Sequence, residues 1–252
     1  MGDVLRVSLI QTDIVWEDKR ANLNKYAAIL SHITGDCDLV VFPEMFTTGF
    51  SMRAEDLAEC IDGETITEVK KWSRNYNVAI AGSFIARAGN VCFNRGFFIE
   101  PDGSEHYYDK RHLFRMGEEG RHFVSEKLIV NYRGWNICLL VCYDLRFPVW
   151  CRNVGNEYDL LLFVANWPQS RSYAWRNLLI ARAIENAAYV CGVNRIGQDE
   201  TSMVYRGDTM AIGVKGEVIA ESEPFVPQVV NVELDLSKLK SFREKFPVVL
   251  KK

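Results

Sequence analysis

The sequence predicts an α/β fold in which two β-sheets face each other with helices outside, and three observations predict it. Short apolar runs alternate with longer amphipathic segments along the whole chain, the pattern of strand–helix units. The order strand, helix, strand, helix, strand, hairpin occurs twice. The two copies also match residue by residue. Asp38-Leu39-Val40-Val41-Phe42 resembles Asp159-Leu160-Leu161-Leu162-Phe163, and VSLIQTD (7–13) resembles CLLVCYD (138–144), setting Gln11 opposite Cys142 and Asp13 opposite Asp144. A repeated unit buries its open face by stacking on its copy. A single doubly wound sheet is the alternative, but each half carries an added hairpin that extends its sheet antiparallel.

In chain order, 7–13 reads as the first strand. Residues 22–33 place Leu23, Tyr26, Ala27 and Leu30 at helical spacing. The run DLVVFPE (38–44) is apolar on both faces, as a strand buried on both sides is. Residues 65–76 read as a helix and 77–84 as a strand. Strands at 93–100 and 105–109 flank Pro101-Asp102-Gly103, where Pro presets φ and Gly is free to turn. In the second half, 136–144 is a strand, followed by a short helix around 148–154 and a strand at 159–165. Residues 170–188 form a helix with Trp175, Leu178, Leu179, Ala183 and Ile184 on its apolar side, and 188–194 a strand. Strands at 210–214 and 217–221 flank Lys215-Gly216. A late strand at 229–236 and a short exposed helix at 239–246 close the chain.

Composition bounds the function. The chain has 252 residues with 48% apolar, 12% aromatic and 25% charged, ordinary for a globular protein. A net charge of −3 offers no electrostatic footprint for nucleic acid or an anionic membrane. The longest apolar runs, such as 137–143, fall far short of the roughly 18 residues a membrane span needs, and the start lacks a signal-peptide layout. Seven cysteines with no CxxC pair fit neither a disulfide framework nor a zinc ribbon. These features lead us to expect a soluble, cytoplasmic protein in a reducing compartment.

Ligands of open α/β sheets sit beyond the carboxyl ends of the strands. Glu44 follows DLVVF, Lys110 follows the strand at 105–109, and Cys142 follows NICLLV; Asn166-Trp167 follow DLLLFVA. If those ends share a pole, they bring a base, a cation and a thiol together. A cysteine attacks as thiolate, which a neighbouring ammonium favours and a carboxylate base can generate. Each residue also has a plainer reading: Cys142 as a small core residue, Glu44 as a loop acid, Lys110 as part of a solvated charge run. His112, beside Lys110, reads as a packed support rather than a base, and the four histidines show no metal-ligand spacing.

Three blocks, Phe42-Pro43-Glu44-Met45-Phe46, Tyr108-Asp109-Lys110-Arg111-His112-Leu113-Phe114 and Val141-Cys142-Tyr143-Asp144-Leu145-Arg146-Phe147-Pro148, resemble the three catalytic signatures of the nitrilase superfamily of carbon–nitrogen hydrolases. Arg182–Asn186 and Tyr205–Asp208 also match, so the resemblance runs through nearly the whole chain, read as one domain over 1–252. It implies a four-layer α-β-β-α sandwich with an internal pseudo-twofold repeat. It implies Glu44 as general base, Lys110 as transition-state stabiliser and Cys142 as nucleophile. A second glutamate between the lysine and the cysteine positions substrate; Glu119 is favoured over its neighbour Glu118. No metal or organic cofactor is implied, and homodimers or higher homo-oligomers form through the helices after Pro148 and around 170–188.

CYDLRF and the short chain resemble the omega-amidase branch, which hydrolyses the side-chain amide of 2-oxo acid monoamides such as 2-oxoglutaramate and 2-oxosuccinamate. In that resemblance Arg146 holds the free carboxylate; an ion pair with Asp144 is its plainer reading. The Tyr143 backbone N–H joins the oxyanion hole, and Phe46 and Trp167 wall the acyl pocket. Other readings are a nitrilase, carbamoylase or aliphatic amidase with the same trio, an inactive member acting in binding or assembly, and a papain-like Cys–His enzyme.

Overall fold

In the computed structural model, which describes residues 3–33, 37–114 and 126–248, the first half carries β1 (Val4–Gln11), α1 (Lys19–His32), β2 (Leu39–Val41), α2 (Ala54–Leu57), α3 (Glu64–Tyr76), β3 (Ala79–Ala88), β4 (Val91–Ile99) and β5 (Glu105–Asp109). The second carries β6 (Leu128–Tyr132), β7 (Trp135–Val141), α4 (Pro148–Cys151), β8 (Leu160–Ala165), α5 (Ser172–Asn186), β9 (Tyr189–Asn194), β10 (Ile196–Gln198), β11 (Val204–Arg206), β12 (Met210–Ile212), β13 (Val218–Glu221), β14 (Gln228–Asp235) and α6 (Leu236–Lys245).

Two six-stranded sheets form, in the orders β14-β1-β2-β3-β4-β5 and β6-β7-β8-β9-β12-β13. Each has three parallel strands at its centre, one antiparallel strand on one edge and two on the other. The predicted repeat is therefore present strand for strand, except that the first sheet takes its edge strand β14 from the far end of the chain. A small third sheet pairs β10 with β11.

Strand alternation sorts the side chains into layers. Leu5, Val7 and Leu9 of β1 and Leu39 and Val41 of β2 join residues of the second sheet in one buried cluster. Ile10 and Val40, on the other face, pack with Leu23, Tyr26 and Leu30 of α1 and Ile66, Val69 and Trp72 of α3. Trp175, Leu179 and Ala183 of α5 cover the second sheet. They sit close on β9, where a Cβ on Gly192 would come within 2.4 Å of Leu179. The result is the α-β-β-α sandwich.

Matching residues do matching work at the entry to the central strands. Asp38 Oδ2 accepts the Arg6 N–H at 2.9 Å, and Asp159 Oδ2 accepts the Asn136 N–H at 3.0 Å. Each aspartate thus pins its strand to the parallel neighbour.

Several boundaries differ from expectation for local reasons. The first helix starts at Lys19 because Asp18 caps it, accepting the Ala21 N–H at 2.9 Å. Asn77 is the left-handed cap of α3, so β3 starts two residues later. Pro43 has no N–H to continue pairing and ends β2 early. The strand β6 was not anticipated; it pairs with β7 across Arg133-Gly134, both at positive φ, the turn that suits a two-residue hairpin. The terminal helix α6 is not merely exposed. Leu236 and Leu239 are buried, and Arg243 donates to Asp159, Tyr158 O and Ala187 O. Among the described residues no helix is long and apolar enough to cross a membrane.

Candidate active site

The ends of β2, β5, β7 and β8 share one pole of the sandwich, and the three chemistry-bearing side chains meet there. Glu44 leaves the end of β2 and is fully buried. Its Oε1 accepts from Lys110 Nζ at 2.9 Å and from Asn94 Nδ2 at 2.7 Å. Its Oε2 accepts the Asn166 N–H at 2.7 Å, and Asn166 Nδ2 donates to the Glu44 carbonyl at 2.6 Å. A buried carboxylate is tolerated only when charge and hydrogen bonds compensate it, and here both oxygens are satisfied.

The supports come from the neighbouring strands β3 and β4 of the first sheet. Ser83 on β3 accepts the Met45 N–H at 2.9 Å and donates to Asn94 Oδ1 at 3.0 Å. Lys110 is tied by its own N–H to Asn94 O at 3.0 Å, and its ammonium lies 5.3 Å from the Phe50 ring centroid.

Cys142 opens a 3-10 turn over Cys142–Arg146, directly after β7. Its φ is +45°. For a residue with a side chain this left-handed conformation is strained, and such strain gathers at functional positions. Asp144 holds the turn: its Oδ2 accepts the Val141 N–H at 3.1 Å and the Tyr108 hydroxyl at 2.8 Å. Its Oδ1 takes the His112 N–H at 3.1 Å and bonds His112 Nδ1 at 2.8 Å. The His112 ring stacks on Phe147 at 3.6 Å.

The environment of the thiol departs from the sequence expectation. Burial pushes the Cys142 thiol well above the ordinary range, the Glu44 carboxylate it bonds adds to that, and Lys110 opposes it. The neighbouring ammonium does not lower it on balance, because desolvation dominates. Glu44 lies beside the thiol as a carboxylate that can receive its proton.

Cys142 forms part of the wall of a cavity of about 260 Å³ with Lys110, Phe50, Tyr143, Arg146, Asn166 and Trp167, and Arg171 and the β10–β11 segment at Asp199, Thr201, Met203 and Tyr205 also line it. A hollow of about 350 Å³ on the β1–β14 edge contains none of these groups. Tyr143 packs its ring against Phe114 and Phe147, each at 5.3 Å. Trp167 stands under the Arg146 guanidinium at 5.1 Å. The ion pair of Arg146 with Asp144 does not form, since Asp144 is occupied by Tyr108, His112 and Val141.

Phe46 corrects the expected pocket. It packs against Tyr26, Phe42 and Phe97 in the helix-side core, on the far face of the first sheet, and Phe50 stands in the cavity instead. Glu118 and Glu119 lie outside the described residues. Among the described residues, the histidines find other partners than Cys142: His112 binds Asp144, His106 binds Glu100 and His32 caps α1 at Ala28 O. No group of three or more described His, Cys, Asp or Glu side chains is placed to hold a metal ion.

Asn94, Asn166, Phe50 and Arg171 were not singled out from the sequence. Asn166 was visible as the residue after the β8 run. Asn94 sits inside a hairpin strand with no local signal.

The model of the family described as carbon–nitrogen hydrolase matches residues 6–244. The chain is 46% identical over 245 residues to omega-amidase YafV of Escherichia coli, covering 96% of this chain and 94% of that protein. It is 31% identical over 248 residues to 2-oxoglutaramate amidase of Bacillus subtilis, with 96% and 95% covered. Among solved structures, a CN-hydrolase superfamily protein from Xanthomonas campestris, with an arsenic adduct in its active site, matches with a TM-score of 0.91 at 42% identity, covering 97% of this chain and 95% of that one.

Proposed function

Because this chain belongs to the carbon–nitrogen hydrolase family and is a hydrolase of carbon–nitrogen bonds in linear amides, we propose that it is an omega-amidase, releasing ammonia from the side-chain amide of 2-oxo acid monoamides. The observation that carries this is the thiol at a strained strand end, beside a buried Glu44–Lys110 pair at a cavity that also presents Arg146. Relatives named omega-amidase and 2-oxoglutaramate amidase support the same substrate class.

In the proposed reaction Cys142 Sγ attacks the amide carbon as its proton passes to Glu44. Lys110 and the Tyr143 backbone N–H hold the developing oxyanion, a kind of contact whose loss costs about 10²–10³ in turnover. The C–N bond breaks as Glu44 returns the proton to nitrogen, and ammonia leaves a thioester on Cys142. Glu44 then takes a proton from water. The hydroxide attacks the thioester carbon, the acid departs, and the thiol is restored with the proton Glu44 held. Arg146 pairs with the substrate carboxylate, and Trp167 and Tyr143 wall the acyl chain. The second glutamate of the site is assigned to Glu119.

An ammonia-release assay across 2-oxo acid amides, simple amides, nitriles and N-carbamoyl amino acids tests the reading. Turnover is expected on 2-oxoglutaramate and not on carbamoyl compounds; the reverse, or full activity of Cys142→Ala, overturns it. Intact-mass measurement during turnover is expected to find the acyl group on Cys142.

We also read residues 1–252 as a single domain, since both halves supply the site, and the protein as cytoplasmic, in keeping with seven free thiols. A homodimer or higher homo-oligomer through α4 and α5 fits the apolar surface there: Val149 is 89% exposed, Tyr173 83% and Ile184 51%. Tyr173→Glu is expected to yield monomer by light scattering; an unchanged mass removes that interface.

A further inference from the structure

Lys110 is engaged by Glu44, but the cavity presents two further cations, Arg146 and Arg171. Among the described residues neither forms an ion pair. Each guanidinium instead lies on an aromatic face, Arg146 over Trp167 at 5.1 Å and Arg171 over Phe114 at 5.1 Å. A ring face holds a guanidinium without using its N–H groups, which remain for a substrate's oxygens. Trp167 also ties the two together, because its Nε1 donates to Arg171 O at 2.8 Å. Asp199, the acid on the same wall, forms an ion pair with neither. Its Oδ1 accepts from Thr201 and Met203 and its Oδ2 from the Tyr205 hydroxyl at 2.8 Å. Two guanidiniums therefore line a space that holds one short chain.

We propose that Arg171 is the specificity residue that binds the 2-oxo group of the substrate, while Arg146 binds the adjacent carboxylate. This deepens, and rests on, the omega-amidase reading. A 2-oxo acid offers neighbouring acceptors, a carboxylate and a ketone oxygen, which suit two guanidiniums. The α-ammonium of an amino acid amide such as glutamine would sit against two cations and lose the ketone's bonds. A site built to bond a substrate oxygen discriminates strongly against the analogue that lacks it.

The test compares kcat/KM on 2-oxoglutaramate and on glutaric acid monoamide, the same chain without the oxo group, in wild type, Arg171→Ala and Arg171→Lys. The wild type is expected to prefer the oxo compound. Arg171→Ala is expected to shrink that preference about 10- to 100-fold, mainly through KM, the scale of a lost charge-assisted hydrogen bond. Arg171→Lys, which keeps charge but not the fork, is expected to fall between. Both rates come from one preparation, so a poorly folded fraction cancels in the ratio. An unchanged preference, or loss of both activities in every variant, overturns the role of Arg171 and leaves the omega-amidase reading standing. A wild type that cleaves simple amides but no 2-oxo acid amide overturns that reading itself.

Discussion

Gln11 and Cys142 occupy matching places, each at the carboxyl end of the first parallel strand of its sheet, and the two halves use them differently. Gln11 is buried and spent on structure. Its Nε2 donates to Glu223 O at 2.8 Å and Val226 O at 2.9 Å, while its Oε1 accepts from Thr209 N at 3.2 Å and Ser222 Oγ at 2.7 Å. Cys142 sits in a left-handed conformation with its thiol facing Glu44 and the cavity. Two residues on, Asp13 is half exposed and binds Arg195 at 2.6 Å, whereas Asp144 is fully buried and accepts four bonds that hold the nucleophile's turn. The repeat builds a symmetric frame, and chemistry occupies the departures from symmetry.

The largest expected effect breaks the comparison at its centre. Cys142→Ala should lower ammonia release by at least about 10⁴-fold while leaving the fold intact, since removal of a nucleophile leaves only binding and electrostatic contributions. Thermal melting of the same variant checks that the loss is chemical. Next comes Lys110→Met, which leaves the carboxylate of Glu44, completely shielded from solvent, without its ion-pair partner. Losing one partner of a buried pair costs about 3–5 kcal/mol, to be read from denaturant midpoints. Gln11→Ala should cost about 1–3 kcal/mol through orphaned buried partners and change kcat/KM far less than Cys142→Ala does. If Gln11→Ala were as damaging to turnover as Cys142→Ala, the division between frame and chemistry would be wrong.

Much of this was legible because it depends on periodicity and on strand ends. Apolar runs located both sets of central strands, whose carboxyl ends named Glu44 and Cys142, and the hairpin strand at the sheet edge, whose end named Lys110. What the sequence could not show follows from three-dimensional parity and desolvation. Phe46 lies one short turn after Glu44, yet the chain at Met45 adopts φ +46° and sends the ring into the helix-side core with Phe42. Asn94 reaches Glu44 only because β4 folds back beside β3, a pairing with no local signature at residue 94. The direction of the Cys142 shift was also hidden. Charges can be read from a sequence, but the depth of burial that outweighs them cannot.

Alkaline pH probes the halves through their thiols. Four buried cysteines, Cys138, Cys142, Cys151 and Cys191, all lie in the second half. Burial pushes Cys151 and Cys191 up to about 12 and shifts Cys138 and Cys142 upward as well. A raised folded-state value means the stabilisation is complete below the unfolded thiol's range near 9 and is lost as pH climbs toward 12. The slope is on the order of 1 kcal/mol per pH unit for each thiol. The melting temperature is therefore expected to hold to about pH 8 and to fall above about 9. Cys191→Ala should flatten that fall; an unchanged slope would remove its thiol from the account.

The smallest effect sharpens the symmetric part of the comparison. Asp38 and Asp159 pin equivalent strands, and each also binds an arginine brought from elsewhere in the chain: Arg133 from the β6–β7 turn, Arg243 from α6. The pairs match in topology but not in burial. The Arg133 side chain is 46% exposed, where solvent screens an ion pair to at most about 1 kcal/mol. The Arg243 side chain is 11% exposed and also donates to Ala187 O at 2.8 Å and Tyr158 O at 2.7 Å. Arg133→Ala is therefore expected to cost under about 1 kcal/mol. Arg243→Ala should cost about 2–3 kcal/mol, because it strands Asp159 and two carbonyls and undocks α6. Equal losses in urea unfolding would mean that position in the repeat, rather than burial, sets the worth of these pairs.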